Sequence, residues 1–541
     1  MGFGIWDLGF TVKTTPAIVV VLAAALDLAP LLLNAPLTDP DEGLHAAIAQ
    51  EMIEHGDVVV PRFLGHAFLD KPILFFWAQR ASLSAFGMNT AAARLPGLLF
   101  ALLAIATTGW LARVLFDPAG AWVAATCYAT MALPFLLAQA PVHDMALVPF
   151  TNVALGCLWR VQRRWDSGFG FWDLGFGIWD LGFAGVALGL AALTKGLEGV
   201  ALVGVAYGLY LLIARAVSWR VVGQGMAVLA IAAAIAAPWY LAMESREPGY
   251  LRYYFIDRHL LGFATDTQRH GGQPWWFYVP IVLGGGLPWI LYLRRRKGTG
   301  PQLLLWTWLA GAVVVLSLSG SKAVTYVLPA MPAVAILAAR TWVNALPSDT
   351  LDEGSQLRAA RLWHAAIFFV VAGLTPWAAS RFAAQPVGTV EVVGFLAAAA
   401  TWAWLIITVP RGPASYAWPR LALATGGTYA LAFALLGPPI AQAHSARDLA
   451  TYFNASARLP STIFIMDERV SFVFYLRPEL RRELRPDQIR SVTVEELAAM
   501  RPFPPDAVVA LPADLAGRLS RVPQLKEASR QIAGRYVVVA P

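Results

Sequence analysis

Apolar stretches recur along this chain, each about as long as the 17–25 residues that a helix needs to cross a bilayer. They lie at 14–34, 91–115, 119–139, 144–161, 219–242, 274–293, 302–319, 323–340, 363–382, 390–410 and 416–440. The region 175–215 is long enough for two more, hinged at LTKGLEG (193–199), which brings the expected number to about thirteen. Inside hydrocarbon a segment must satisfy its own backbone N–H and C=O groups, so runs of this length read as helices. Composition agrees: 58% of residues are hydrophobic and 14% charged, where a soluble domain has about 45–50% and about 25%. The expected fold class is an α-helical polytopic membrane protein. The first apolar run leads straight into the multi-span body, so no cleavable leader is expected.

Lys and Arg set the orientation. With the N-terminus inside, the basic loops RVQRRW (160–165), RAVSWR (215–220), RRRK (294–297), RAARLWH (358–364) and 411–420 all fall inside. DPDEG, DKP, HDM, IDRH and SGSK fall outside. The formal net charge of +7 is scattered among apolar spans and is no nucleic-acid signature. Cys127 and Cys157 both stand in apolar runs, which offers neither a disulfide framework nor a CxxC metal site.

Two outer segments, 37–90 and 243–273, carry amphipathic helical patterns. In DPDE, Asp39 is the expected N-cap, Pro40 suits the first helical position and Glu42 completes a capping box. Leu44, Ala47, Ile48 and Met52 share a face, and Gly56 ends the helix. From 442 the composition changes. TIFIM (462–466), SVTV (491–494), AVVAL (507–511) and YVVVA (536–540) read as strands, with ARDLATYFNASA and VEELAAM as helices between them. The expectation is a transmembrane domain over 1–441 and a small extracytoplasmic α/β domain over 442–541.

The nonapeptide GFGIWDLGF occurs at 2–10 and again at 175–183, preceded by the near-copy GFGFWDL at 168–174. Glycine and aromatics in every repeat argue against a coiled coil. The heptanucleotide GGATTTG read three times in frame gives Gly-Phe-Gly-Ile-Trp-Asp-Leu, so a DNA repeat accounts for the period. We read 168–183 as a repeat-derived insert rather than a binding repeat.

Ionisable groups at a membrane face are costly and mark function by default. The outer set is Asp39, Asp41, Glu42, Asp70, Lys71, Asp144, Asp257, Arg258, His259, Lys322 and Tyr326. Carboxylates and cations together suit a reaction that deprotonates a nucleophile and expels an anion. Structural duties compete for several of them. Asp41 could favour a helix dipole, Lys71 could snorkel to the interface, Asp144 could cap a span, and Lys322 could mark a span boundary. Lys195, at the hinge, stays open.

DPDEGLHAAIAQEMIEHGDVVVPRFLGHAFLDKPILFFW, then AARLPG, HDMAL, LTKG, APWY, PWWFY, LPW and SxKxxxYVLP resemble bacterial membrane glycosyltransferases of the GT-C superfamily. The nearest likeness is the aminoarabinose transferase and protein O-mannosyltransferase group. The resemblance runs from 14 to about 340. It implies a GT-C fold at the cytoplasmic membrane and inverting transfer of a sugar from a polyprenyl phosphate to a lipid, glycan or protein at the outer face. By position it implies Asp41 as general base with Asp144 as the second acid. Lys71 would contact the donor phosphate, and Lys322 and Tyr326 would hold it. Some members bind a divalent metal; the matching positions here are Asp70 with Asp257 or His259. The chain departs from the pattern at Leu44-His45 and at Gly262, where many members carry Arg-Tyr and an arginine. Arg258 could supply that missing charge. A transporter or flippase for a lipid-linked substrate is the alternative, but it should hold its charges near the midplane in paired halves. Here the charges gather in outer loops. A silent scaffold with a partner-binding outer domain is a third reading. If the insert is DNA-derived, deleting 168–174 leaves membrane insertion and transfer activity within about twofold of wild type. Total loss of activity in a normally inserted variant overturns that expectation.

Overall fold

The computed structural model describes residues 15–28, 35–116, 118–166, 173–265, 271–294, 300–345, 355–382, 388–410, 414–466, 469–500, 502–504, 506–525 and 528–540. The chain divides into two compact units. The first comprises 1–32, 69–75 and 96–434; the second comprises 33–68, 76–95 and 435–541.

The first unit is helical. All thirteen expected segments contain helix, but they are unequal as spans. Among the described residues, eight helices are long and apolar enough to cross a membrane, or nine if the pair 120–129 and 132–138, bent by 64°, is one span. Thirteen is not reached by that measure, for local reasons. Thr15–Leu28 and Leu197–Ile213 are short, and the stretch 274–293 breaks into Tyr278–Gly285 and a 3-10 turn, Trp289–Tyr292. His143–Asp166 ends in Arg160, Arg163, Arg164 and Asp166, which lowers its apolar character. Exposed positions on the spans are apolar too, among them Leu99, Leu229, Val314 and Leu396. An apolar outside as well as inside is what lipid, rather than water, selects.

Helix Asp173–Lys195 packs against His143–Asp166 and Trp219–Arg246. Gly185 and Gly189 make the second contact close: a Cβ would lie 2.5 Å from Ile231 Cβ and 2.6 Å from Ile235 Cβ. Four-residue spacing of small residues lets two backbones approach. The same helix contains the exact internal copy of the repeat; 2–10 and 168–172 lie outside the described residues. Its Asp180 is buried and pairs with Arg160 at 3.4 Å and Arg164 at 3.6 Å.

The second unit is built on a five-stranded sheet beside a short hairpin, β1 (Arg62–Phe63) and β2 (His66–Ala67). The sheet strands are β3 (Thr462–Ile465), β4 (Ile489–Ser491), β5 (Ala507–Pro512), β6 (Ser529–Ala533) and β7 (Tyr536–Ala540), in the order β4-β3-β5-β7-β6. β3 is parallel to β4 and β5, while β7 is antiparallel to β5 and β6. Period-two alternation sends Ile463, Ile465, Val508 and Val538 to one core, and Phe464, Val509, Leu511 and Val539 to the other. Two expectations shift. The strand expected at 491–494 sits two residues earlier, because Thr493 and Glu496 form a capping box that starts helix Val494–Ala499. β6 was not expected: SRQIA has no apolar run, and its strand form comes from the hairpin pairing with β7.

Helix Asp41–Glu54 begins as expected and ends before Gly56, whose φ is +66°. Its caps differ. Pro40 is the N-cap, and Glu42 reaches back to the N–H and hydroxyl of Thr38, at 2.7 and 2.9 Å. Arg94 clamps that carboxylate and also donates to the carbonyls of Ala35 and Pro36. Asp39 instead accepts the N–H groups of Val470 and Ser471, at 2.8 and 2.7 Å, and the Ser471 hydroxyl.

Burial pushes the Asp39 carboxyl up to about 6, against the opposing pull of the Ser471 and Val470 hydrogen bonds and Arg469. The folded state therefore binds this proton more tightly than the unfolded chain. Its contribution to stability is most favourable below about pH 4 and declines as pH rises to about 6. With partial solvent exposure the decline is about 1 kcal/mol, or roughly 2–4 °C in Tm. Asp39→Asn keeps an acceptor for both N–H groups and should flatten this fall, measured as Tm of detergent-solubilised protein at pH 4.5 and 7.

Candidate active site

The site forms where helix Asp173–Lys195 stops. Gly196 turns the backbone with φ +69°, and a Cβ there would lie 2.5 Å from His259 Nε2 and 2.7 Å from the Tyr254 hydroxyl. Only glycine satisfies both the turn and the space. The next helix, Leu197–Ile213, starts at once and carries Glu198 in its first turn. Lys195 and Glu198 thus face each other across the break, with Nζ 2.9 Å from Oε2.

Helix His143–Asp166 brings Asp144, also in its first turn, into close contact with the same ammonium through Oδ1. The Tyr326 ring lies beneath, its centre 3.8 Å from Lys195 Nζ. A buried ammonium is tolerated when paired and hydrogen-bonded, and an aromatic face adds attraction. Lys195 has all three.

Lys71 stands beside this cluster, half-buried, within the electrostatic reach of Lys195, Asp144, Arg258 and Glu198. Among the described residues no carboxylate lies within ion-pair distance of it. Burial first, then repulsion from Lys195 and Arg258, lowers its hold on a proton; Asp144 and Glu198 oppose this. Arg258 Nε lies 3.6 Å from Asp70 Oδ1, which also accepts the Tyr253 hydroxyl at 2.6 Å. Burial and that carboxylate push the Tyr253 hydroxyl up to about 12. Three cations, Lys71, Lys195 and Arg258, therefore face three anions, Asp70, Asp144 and Glu198.

The structure gathers Lys71, Asp144, Arg258, Asp70 and Tyr326 in the first unit, with Lys195 and Glu198 at the centre. Sequence reasoning left Lys195 open and missed Glu198. The signal was present: two opposite charges three residues apart, flanking a glycine inside an apolar run. Lys322 donates to the carbonyls of Ser319 at 2.5 Å and Gln273 at 3.3 Å. Asp41 belongs to the second unit, where it is the exposed first residue of its helix.

Asp70 is engaged by Tyr253 and Arg258. His259 bonds the Tyr254 carbonyl through Nδ1 at 2.7 Å and packs its other nitrogen against the Gly196 hinge. Burial lowers its proton affinity. Asp257 is half-buried on the same helix, Arg252–Leu261. Among the described residues no three His, Cys, Asp or Glu side chains converge as metal ligands.

Residues 70–241 match the family described as dolichyl-phosphate-mannose-protein mannosyltransferase. The fold matches the crystal structure of ArnT from Cupriavidus metallidurans bound to undecaprenyl phosphate, with TM-score 0.73 and 22% identity over 97% of this chain and 98% of that one. It also matches the oligosaccharyltransferase AglB from Archaeoglobus fulgidus, with TM-score 0.50 and 14% identity over 93% and 70%. The fold is therefore the one seen in the ArnT structure.

Its sequence is similar to curated undecaprenyl phosphate-α-4-amino-4-deoxy-L-arabinose arabinosyl transferases. One from Aeromonas hydrophila is 28% identical over 330 residues, and one from Pseudomonas fluorescens is 30% identical over 322. The matches cover 59% and 57% of this chain, and 58% and 56% of those relatives.

Lys195→Met would leave Asp144 and Glu198 facing each other without their cation and should cost about 3–5 kcal/mol. Lys71→Met removes a cation that lacks its own carboxylate and should leave stability within about 1 kcal/mol. Thermal unfolding of the two solubilised variants checks the contrast; equal losses contradict it.

Proposed function

We propose that the chain is a glycosyltransferase of the bacterial inner membrane. It moves a sugar, with inversion, from a polyprenyl-phosphate donor to a lipid, glycan or protein acceptor on the extracytoplasmic side. The observation that carries this reading is Lys71: a part-buried amine beside two other cations, with no carboxylate of its own among the described residues. That arrangement favours an incoming anion. The curated relatives are named for an undecaprenyl phosphate-linked sugar, and the ArnT structure holds undecaprenyl phosphate.

Transfer breaks the bond between the anomeric carbon and the phosphate oxygen as an acceptor oxygen bonds to the opposite face of that carbon. The electron pair of the broken bond stays on the phosphate. Lys71 and Arg258 offset that growing charge, which lowers the barrier more than it stabilises the bound donor. Asp144 and Glu198 hold Lys195 in place, and Tyr326 supports it from below. Asp41, whose carboxylate the described residues leave free, takes the acceptor's proton. Lys322 gives two of its three N–H donors to carbonyls and keeps the third for the phosphate. The exposed position of 442–541 in the expected topology makes it the extracytoplasmic domain.

Asp41→Asn tests the reading. Envelope lipids, glycans and proteins of cells carrying the wild-type gene should show a pentose, aminopentose or hexose mass that is absent without it. The variant should insert normally, bind undecaprenyl phosphate within about twofold of wild type, and lower transfer by about 10²–10⁴. Full transfer by the variant removes Asp41 as the base; no sugar mass with wild type removes the activity.

A further inference from the structure

Counted together, Lys71, Lys195 and Arg258 are matched by Asp70, Asp144 and Glu198, although Lys71 has no carboxylate of its own among the described residues. A lipid phosphate adds one or two negative charges to a largely buried cluster, and an uncompensated buried charge is expensive. Protonating one carboxylate would restore the balance, and the three are held differently.

Asp70 has a hydroxyl donor, a guanidinium and a side chain 38% exposed to solvent. Asp144 is in close contact with Lys195 and sits in the first turn of a long helix, where the dipole favours its charge. Glu198 also sits in a first turn, but only Oε2 is used, on Lys195. Its other oxygen, Oε1, is buried and accepts no hydrogen bond from the described residues. A carboxylate oxygen without a donor is the one that gains most from carrying a hydrogen itself. The groups facing Glu198 are Lys195, Asp144 and Lys71, with Tyr278 and Tyr326 also within electrostatic reach. Lys195 is shared with Asp144, so it neutralises Glu198 only in part.

Resting on the donor assignment above, we propose that Glu198 is the charge-compensating residue of the phosphate site. It takes up one proton from solvent at Oε1 as the lipid phosphate enters and releases it as the phosphate leaves. Protonation leaves Asp144 as the counter-ion of Lys195. It makes the net charge of the filled site less negative by one and gives Oε1 a hydrogen to donate. Glu198 is a positioning residue: it acts through Lys195 and the site's charge, and no bond to the sugar passes through it.

Calorimetry of undecaprenyl phosphate binding to the solubilised full chain, in buffers of different ionisation enthalpy, counts the protons exchanged. Between pH 7 and 8, wild type should take up close to one more proton per phosphate bound than Glu198→Gln, which mimics the protonated acid. The variant's Kd should be equal or lower at pH 7, and about three- to tenfold lower than wild type at pH 8.5. Glu198→Asp should restore proton uptake. Equal uptake by wild type and Glu198→Gln, or a tenfold weaker Kd in a Glu198→Gln protein that melts like wild type, overturns the proposal. If wild type itself does not bind undecaprenyl phosphate, the donor assignment fails instead, and the calorimetry shows this directly.

Discussion

The ammonium of Lys195 organises the centre of the first unit. It is buried at the end of one helix, paired with acids from the starts of two others, and seated on an aromatic ring. Remove the charge and two carboxylates lose their reason to be buried. Keep it, and the helices ending or starting at 195, 143 and 197 are tied to one point. Such a knot offers little stability beyond what an apolar replacement would give. Its effect is to fix where charges stand, which is what the proposed chemistry on a lipid phosphate needs.

Gly196 makes the knot possible. A continuous helix would carry Lys195 and Glu198 on neighbouring turns of one surface, as an ordinary i,i+3 pair. The break lets the second helix start afresh, with Glu198 in its first turn and the backbone held against His259 and Tyr254. His259, whose residue type suggests a metal ligand, serves here as packing for the turn. Asp39, whose place in DPDE suggests a helix cap, instead holds the 470–471 turn. The hydrogen-bond partners of Asp39 lie more than 400 residues away, while His259 bonds a carbonyl of its own helix and meets the distant Gly196 by packing.

That is the general limit of the sequence reading. Long-period apolar runs identify helices because the bilayer imposes length and composition on each segment separately. Short continuous apolar runs identify β3, β5 and β7, because each strand is buried on both faces of its own sheet. β6 has no such pattern, since its conformation is set by the strand beside it. Asp144, Lys71 and Arg258 are legible as functional candidates because charges are rare near apolar spans. Their partners are not legible, because Lys195 is chosen by three-dimensional neighbours rather than spacing. Glu198 was hidden by the more familiar lysine three residues before it.

The internal repeat has a consequence of its own. Its Asp180 is the acid that meets Arg160 and Arg164, so the repeated sequence has a place in the helical packing. Seven residues advance a helix by about 700°, only some 20° short of two full turns. A tract that grows or shrinks by whole heptads within such a helix therefore returns each side chain almost to its former compass bearing. Two turns are gained or lost while the faces keep their direction. A genome prone to stuttering in units of seven bases would find in this helix a forgiving host for every third slip.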